Sequence, residues 1–247
     1  IYTMNIKNHI PNTITCLNLF SGCIAVALAF QGNLLVSALF IFASAIFDFF
    51  DGFAARKLKA FSIIGKDLDS LADLISFGLA PATMVSSLLK EYQYPEYMFD
   101  YAFIFPYIAY LIAVFSALRL AKFNNDERQS NTFIGLPTPA NALFIAGFAN
   151  APSASFLWQP LTNFADMWTN QASGLFVLLG LIAISSFLLV SPIPMFSLKQ
   201  AGKLQYVFLA ISVILIVTCG FLGMFMSISV YILFSIFKII ATSKTIK

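Results

Sequence analysis

Polar residues interrupt this chain at long intervals, and the apolar stretches between them are close to the length a helix needs to cross a bilayer, about 20 residues. Eight such stretches are predicted, at 14–30, 34–55, 69–89, 101–121, 137–153, 172–191, 204–221 and 223–241. The fifth is the weakest. It opens Pro137-Thr138-Pro139-Ala140-Asn141 and carries Gly147 and Asn150, which predicts a helix that is short, tilted or packed beside a polar cavity. Little more than Gly220 and Gly223 separates the last two, so a tight helical hairpin is expected there. Residues 1–12 read as a short interfacial helix ending at Pro11-Asn12, which would cap the first span. The pattern predicts an all-α integral membrane protein, a bundle of about eight transmembrane helices in a single membrane domain over 1–247.

Composition strengthens that reading. The chain has 247 residues, 60% hydrophobic and only 10% charged, against about 25% charged in an ordinary soluble domain. So few charges cannot cover a water-facing globule, whereas a lipid-facing surface needs none. Cys16, Cys23 and Cys219 form no CxxC and fall inside apolar runs, where they are expected as small buried apolar side chains with no disulfide. The first apolar run is followed by many more, so it reads as a span and not as a cleaved leader.

Loop charge then sets an orientation. With both termini cytoplasmic, 13 of the 14 basic residues fall on the inside and Lys90 alone falls outside, together with Glu91, Glu96, Asp100 and Asp166. That segregation obeys the positive-inside rule. It also places Asp48, Asp51, Asp69 and Asp73 at the cytoplasmic ends of the second and third spans.

Those four aspartates are the chemical signal. Asp48 and Asp51 are three apart and Asp69 and Asp73 four apart, spacings that put each pair on one helix face. Two neighbouring helices can therefore aim four carboxylates into one gap, where they would repel each other without a cation. All-oxygen ligation suits Mg²⁺, Mn²⁺ or Ca²⁺. The only histidine, His9, has no partners for a zinc or copper site and reads as a solvated headgroup-level residue. Between the pairs lie Gly52, Ala55 and Arg56, a basic loop with Lys57, Lys59 and Lys66, and Gly65. Small residues admit a bulky ligand, and Arg56 and Lys66 can meet phosphate oxygens. The combination describes a diphosphate site. Either pair alone would pass for a solvated helix end.

The run Asp48-Phe49-Phe50-Asp51-Gly52-Phe53-Ala54-Ala55-Arg56, eight residues, Gly65, three residues, Asp69, three residues, Asp73 resembles the DxxDGxxAR…GxxxDxxxD signature of the CDP-alcohol phosphotransferases at every fixed position. Ser116-Ala117-Leu118-Arg119-Leu120-Ala121-Lys122-Phe123-Asn124 and Phe133-Ile134-Gly135-Leu136-Pro137-Thr138-Pro139-Ala140-Asn141 are similar to the serine-using branch of that family, the membrane phosphatidylserine synthases. The Ile10–Asn18 run and Ser191-Pro192 fit the same branch. The resemblance spans roughly residues 10 to 200, and the last two spans carry no signature.

What the resemblance implies is a transferase in the cytoplasmic membrane, usually a homodimer, with its site facing the cytoplasm and no nucleic-acid partner. Spans 14–191 would carry the catalysis and 204–241 would be an appended hairpin. CDP-diacylglycerol and L-serine would be the substrates and CMP a product. Asp48, Asp51, Asp69 and Asp73 would bind Mg²⁺ or Mn²⁺, two ions, with Asp73 as general base. Gly52, Ala55 and Gly65 would leave room for the nucleotide, and Arg56 or Lys66 would neutralise the departing phosphate. Asn18 would contact the nucleotide or make an interhelical hydrogen bond. Arg119 would read the serine carboxylate through its planar fork, pair structurally, or snorkel; Lys122 and Asn124 are weaker alternatives. Asp67, and the loop Asp126-Glu127-Arg128, read as solvated charges. The lipid tails would enter beside the fifth span. Two other readings stay open: a sibling enzyme using glycerol 3-phosphate or inositol, and, from a different class, a cation-coupled transporter. The carboxylates lie at one membrane face and no inverted repeat is visible, which speaks against the transporter.

Overall fold

The computed structural model describes residues 6–60, 63–125, 133–151, 172–195 and 203–245. Asp126, Glu127 and Arg128 lie outside these residues, as does Asp166. The described fold is helical, with α1 at Ile6–Phe30, α2 at Leu34–Leu58, α3 at Ile63–Asp73, a π-helical segment at Leu74–Leu79 and α4 at Ala80–Glu91. A 3₁₀ turn at Glu96–Tyr101 leads to α5 (Phe105–Ile108) and α6 (Leu111–Asn125). Then come α7 (Thr138–Ala149), α8 (Ala172–Val190) and α9 (Lys203–Thr245).

Five helices among the described residues are long and apolar enough to cross a membrane: His9–Phe30, Leu34–Leu58, Ile64–Glu91, Phe105–Asn125 and Tyr206–Phe237. Thr138–Ala149 and Gly174–Val190 are shorter apolar helices. The all-α membrane architecture is therefore as expected, but the eight stretches are unequal. The weak fifth one yields only 12 helical residues, nine of them buried. The last two form one element bent at Gly220, whose φ of 55° and ψ of −128° no helix accommodates. Beyond the bend the chain turns back on itself. Phe208 and Tyr231 face each other with ring centroids 5.9 Å apart, and a Cβ on Gly223 would strike the Leu215 carbonyl.

Two sequence expectations need correction. Residues 6–12 are the first turns of α1 itself, with Pro11 inside the helix, and not a separate helix ending at Pro11-Asn12. Proline removes one helical hydrogen bond. Pro11 is the sixth residue of α1, so the one bond lost lies at the helix start, and Thr13 donates to the His9 carbonyl in the same turn. Cys16 and Cys23 are exposed on the flank of α1, not buried; a weakly polar thiol is at no disadvantage against lipid tails.

Hydroxyl groups hold α1 and α2 together. Ser37 donates to the Ala25 carbonyl at 2.8 Å, Ser21 to the Phe40 carbonyl at 2.9 Å and Ser44 to the Asn18 carbonyl at 3.1 Å. These bonds follow one another turn by turn down the antiparallel pair. Lipid supplies no hydrophobic drive between helices, so small side chains and hydroxyls take that role, and Ala25, Ala29 and Ala38 fill the remaining seam. The C-terminal ends of α1 and α2 are closed by backbone bonds of one pattern. At the α1–α2 turn Asn33 N–H reaches the Leu28 carbonyl and Gly32 the Ala29 carbonyl; after α2, Ala60 reaches Ala55 and Lys59 reaches Arg56. The second turn uses a lysine at φ 51°. It brings the buried Ala60 back beneath the last turn of α2.

A two-residue antiparallel ribbon joins distant parts of the chain, with Phe133 opposite Met195 and Ile134 opposite Pro194. Gly135 follows at φ 77°, and a Cβ there would lie 2.6 Å from the Leu189 carbonyl. Only glycine fits. The ribbon thus ties the stretch before α7 to the end of α8, which fixes where α7 begins.

Candidate active site

The aspartates occupy adjoining helices. Asp48 and Asp51 sit about three and two turns before the end of α2, and Asp69 and Asp73 on the turns of α3 that lead into the π segment. Carboxylate oxygens of Asp48, Asp51 and Asp69 all lie within 4.8 Å of one another. At that separation two carboxylates repel by about 3 kcal/mol at an effective dielectric of about 20. Three such pairs on apolar helices have no structural use, whereas a divalent cation reverses the sign of every one. The donor set is oxygen only, the kind that holds Mg²⁺ or Mn²⁺. The residues fit a hard metal.

A cavity of about 500 Å³ opens over this cluster. Asp48, Asp51 and Asp69 line it, and so do Gly52, Ala55, Arg56, Gly65 and Lys66. The structure therefore gathers eight of the eleven residues singled out from the sequence around one space. Arg56 folds back over Gly52, since a Cβ on Gly52 would sit 3.3 Å from its Nη1; the missing side chain is what lets the guanidinium lie along the cavity wall. Lys66 is exposed and donates to the Asn124 carbonyl at 3.0 Å, while the Asn124 side chain donates to Ser70 at 2.8 Å. The floor of the site is in this way tied to the end of α6. Asp67 is exposed, as a solvated helix-start residue should be.

The other three do not line the cavity: Asp73 lies one turn beyond Asp69, Asn18 one turn beyond Thr15, and Arg119 on α6. Asp73 is buried, accepts a 3.5 Å hydrogen bond from Asn18 Nδ2, and interacts electrostatically with Asp48, Asp69 and Arg119. It is not part of the tight three-carboxylate group. Arg119 is buried at 7% exposure on α6. One of its Nη groups donates to Thr138 Oγ1 at 3.2 Å, its guanidinium lies 5.3 Å over the Phe123 ring, and its Nε has no partner. Close by in sequence, the Ser116 hydroxyl and the Asn141 amide nitrogen are also buried and unpartnered. An arginine with an unpartnered Nε, near Asp73, is a ready receptor for a small carboxylate.

Sequence reasoning missed Thr15 and Thr138. Thr15 donates to Asp51 Oδ2 at 2.7 Å and lines the cavity. It lies three residues before Asn18, so the helical period of the Ile10–Asn18 run was the available signal. Thr138 is the first residue of α7, set by the Gly135 turn, and it belongs to the stretch already noted for its resemblance. The cavity draws its described lining from α1, α2, α3 and the turn after α2. None of it comes from α7, so the expected lipid route beside the fifth span gains no support; the exposed Phe49 marks the cavity's apolar rim on α2.

Sequence comparison with known proteins places the chain in a family. A sequence model of the CDP-alcohol phosphatidyltransferase family matches residues 8–172. Over 132 residues the chain is 39% identical to a CDP-diacylglycerol–serine O-phosphatidyltransferase of Bacillus subtilis, covering 53% of this chain and 70% of that protein. It is 32% identical over 155 residues to an archaetidylserine synthase of Methanothermobacter thermautotrophicus, covering 60% of this chain and 63% of the relative. Against a CDP-diacylglycerol–serine O-phosphatidyltransferase of Methanocaldococcus jannaschii the figures are 37% over 139 residues, 56% and 59%. With the signature aspartates gathered on two helices and the family model spanning the helices that carry them, the chain belongs to the CDP-alcohol phosphatidyltransferase family.

Proposed function

We propose that this protein transfers the phosphatidyl group of CDP-diacylglycerol to the hydroxyl of L-serine, releasing CMP. The observation that carries the reading is the two-part site: three clustered carboxylates under an open cavity, and, one turn beyond Asp69, a buried aspartate near a buried arginine. The names of the relatives support serine as the acceptor.

The diphosphate lies in the cavity over Asp48, Asp51 and Asp69, with Arg56 and Lys66 against its oxygens and Gly52, Ala55 and Gly65 leaving space for the nucleotide. Two bound divalent cations, Mg²⁺ or Mn²⁺, would neutralise the diphosphate and both oxygens of the in-line displacement. Arg119, held by Thr138, takes the serine carboxylate. Asp73, oriented by Asn18, accepts the hydroxyl proton as the serine oxygen bonds to the lipid-side phosphorus. The bond from that phosphorus to the bridging oxygen breaks, and CMP leaves with the electron pair. The lipid tails stay in the bilayer. The working form is a homodimer in the cytoplasmic membrane, its site facing the cytoplasm, with residues 14–191 carrying catalysis and 204–241 appended.

The test is purified protein with CDP-diacylglycerol, a divalent metal and a panel of labelled acceptors. Phosphatidylserine and stoichiometric CMP are expected, and neither should form in excess EDTA. Turnover with glycerol 3-phosphate or inositol but not serine would move the chain to a sibling branch. Full turnover after verified metal removal would reject the metal site. Orientation is read by thiol labelling in a background lacking the native cysteines: a cysteine at Lys59 should be protected from an impermeant reagent outside the cell, and one at Glu96 should not.

A further inference from the structure

Some helical serines in this protein bond the carbonyl one turn back on their own helix, as Ser70 does to Lys66, Ser227 to Gly223 and Ser235 to Tyr231; others reach a neighbouring helix, as Ser21, Ser37 and Ser87 do. Ser44 and Ser76 belong to the second group. Ser44 on α2 and Ser76 in the π segment both donate to one acceptor on a third helix, the Asn18 backbone carbonyl, at 3.1 and 3.0 Å. All three residues are fully buried. Their positions are what make the arrangement informative. Ser44 lies one helical turn before Asp48, and Ser76 three residues beyond Asp73. The side chain of the same Asn18 reaches Asp73. One residue of α1 therefore touches both aspartate-bearing helices, next to the aspartates.

Gly22, one turn after Asn18 on α1, makes this possible. A Cβ there would lie 2.8 Å from Ser76 Cα and collide with its hydroxyl. The π segment, too wide by one residue per turn, is pressed against α1 at that point.

We propose that the Asn18 carbonyl, with Ser44 and Ser76, is a register clamp that sets how the Asp48/Asp51 pair faces the Asp69/Asp73 pair. Ser44 and Ser76 are positioning residues, acting through the aspartates one turn away. The proposal rests on the reading of those aspartates as a metal site. A small axial slip of either helix would spread carboxylates that a cation at 2.0–2.1 Å must meet together, and misplacement of about 1 Å is enough to cost about 10²-fold in a pre-organised site.

The experiment is a Mn²⁺ titration of the full chain in detergent, followed by electron paramagnetic resonance without substrate. Ser44→Ala and Ser76→Ala should each weaken Mn²⁺ binding about 10-fold, and the double variant by less than the product, because the two hydroxyls share one acceptor. Ser44→Thr, which keeps the hydroxyl, should restore binding. Ser44→Cys, a near-isosteric weak donor, should fall between and keeps the test open if alanine does not fold. Ser37→Ala is the control for general softening: Ser37 is equally buried and also donates across to α1, at the Ala25 carbonyl, but three turns from the nearest aspartate, Asp48. It should leave Mn²⁺ affinity unchanged. If Ser37→Ala weakens binding as much as Ser44→Ala, or if Ser44→Ala and Ser76→Ala bind Mn²⁺ like the parent while Asp48→Asn does not, the clamp is wrong and the metal site stands. If Asp48→Asn itself binds Mn²⁺ unchanged, the metal site falls and the clamp with it.

Discussion

The span that carries Asp69 and Asp73 and the hairpin at the C-terminal end are opposites. In Ile64–Glu91, 67% of the most apolar window is buried inside the protein; in Tyr206–Phe237, the more apolar of the two, only 17% is. In water that order would be reversed. In a bilayer the most apolar helix is the one free to face lipid, and the helix with serines, a threonine, glycine and aspartates must be enclosed, because only protein can satisfy its polar groups. Between these two spans burial therefore follows chemistry and not hydrophobicity. The signature half is bound together by hydroxyls and small residues; the hairpin presents Leu209, Val213 and Val217 outward, at 54%, 52% and 75% exposure.

The strongest way to test that contrast is at its enclosed extreme. Asp73→Asn keeps size and hydrogen-bonding shape but removes the proton acceptor, so turnover should fall by about 10²–10⁴ while Mn²⁺ binding at the three-carboxylate group persists. Single-turnover assays and the Mn²⁺ titration together check this. Near-normal turnover in a folded variant would reject Asp73 as the base, and lost Mn²⁺ binding would make it a ligand instead.

A smaller effect is expected at Arg119. Hydrogen bonds to charged groups are worth about 1.5–3 kcal/mol, or one to two decades of affinity at 1.4 kcal/mol per decade. Arg119→Ala should raise KM for serine by roughly that range, with CDP-diacylglycerol binding little changed, and Arg119→Lys should be intermediate because it keeps charge but loses the fork. Weaker CDP-lipid binding with serine spared would assign Arg119 to the diphosphate. Thr138→Ala frees the guanidinium without removing it and should give a KM effect several-fold smaller than that of Arg119→Ala; an equal or larger effect would show that Thr138 itself meets the substrate.

The same contrast explains what the sequence made legible. Four aspartates in apolar helices stand out because each costs so much to place there, and helical spacing alone pairs them on common faces. Gly52, Ala55, Arg56, Gly65 and Lys66 come with them, since they occupy the turns between. Thr15 and Thr138 were invisible for the opposite reason. A hydroxyl in an apolar run costs little, and Thr83 and Ser227 satisfy theirs on their own helices, so composition cannot separate a functional hydroxyl from a self-satisfied one. The span pattern was legible in outline but not in length. Runs 137–153 and 172–191 were apolar enough to read as spans, yet α7 comes out at 12 residues because the Gly135 turn fixes its start and Asn150 its end. The exposed Cys16 and Cys23 repeat the lesson in miniature: an apolar residue predicts burial in water but only indifference in lipid.

The smallest expected effect lies at the exposed extreme. Val217 is three quarters exposed on the first arm of the hairpin. If its surroundings are lipid tails, Val217→Ala removes two methyl groups from contact with a medium as apolar as the side chain itself, which gives no hydrophobic penalty between protein and lipid. Thermal unfolding in lipid nanodiscs should then shift by no more than the ±0.5 kcal/mol typical of surface substitutions, with turnover unchanged. Ile112→Val, a loss of one methylene at a fully buried position of α6, should cost about 0.5–1.5 kcal/mol in the same assay. The pair of measurements sets the scale of the comparison from inside the protein. Should Val217→Ala cost as much as Ile112→Val, the outer face of the hairpin would be packed against protein and not lipid, and a second copy of the chain would be the first partner to test, by the concentration dependence of the loss.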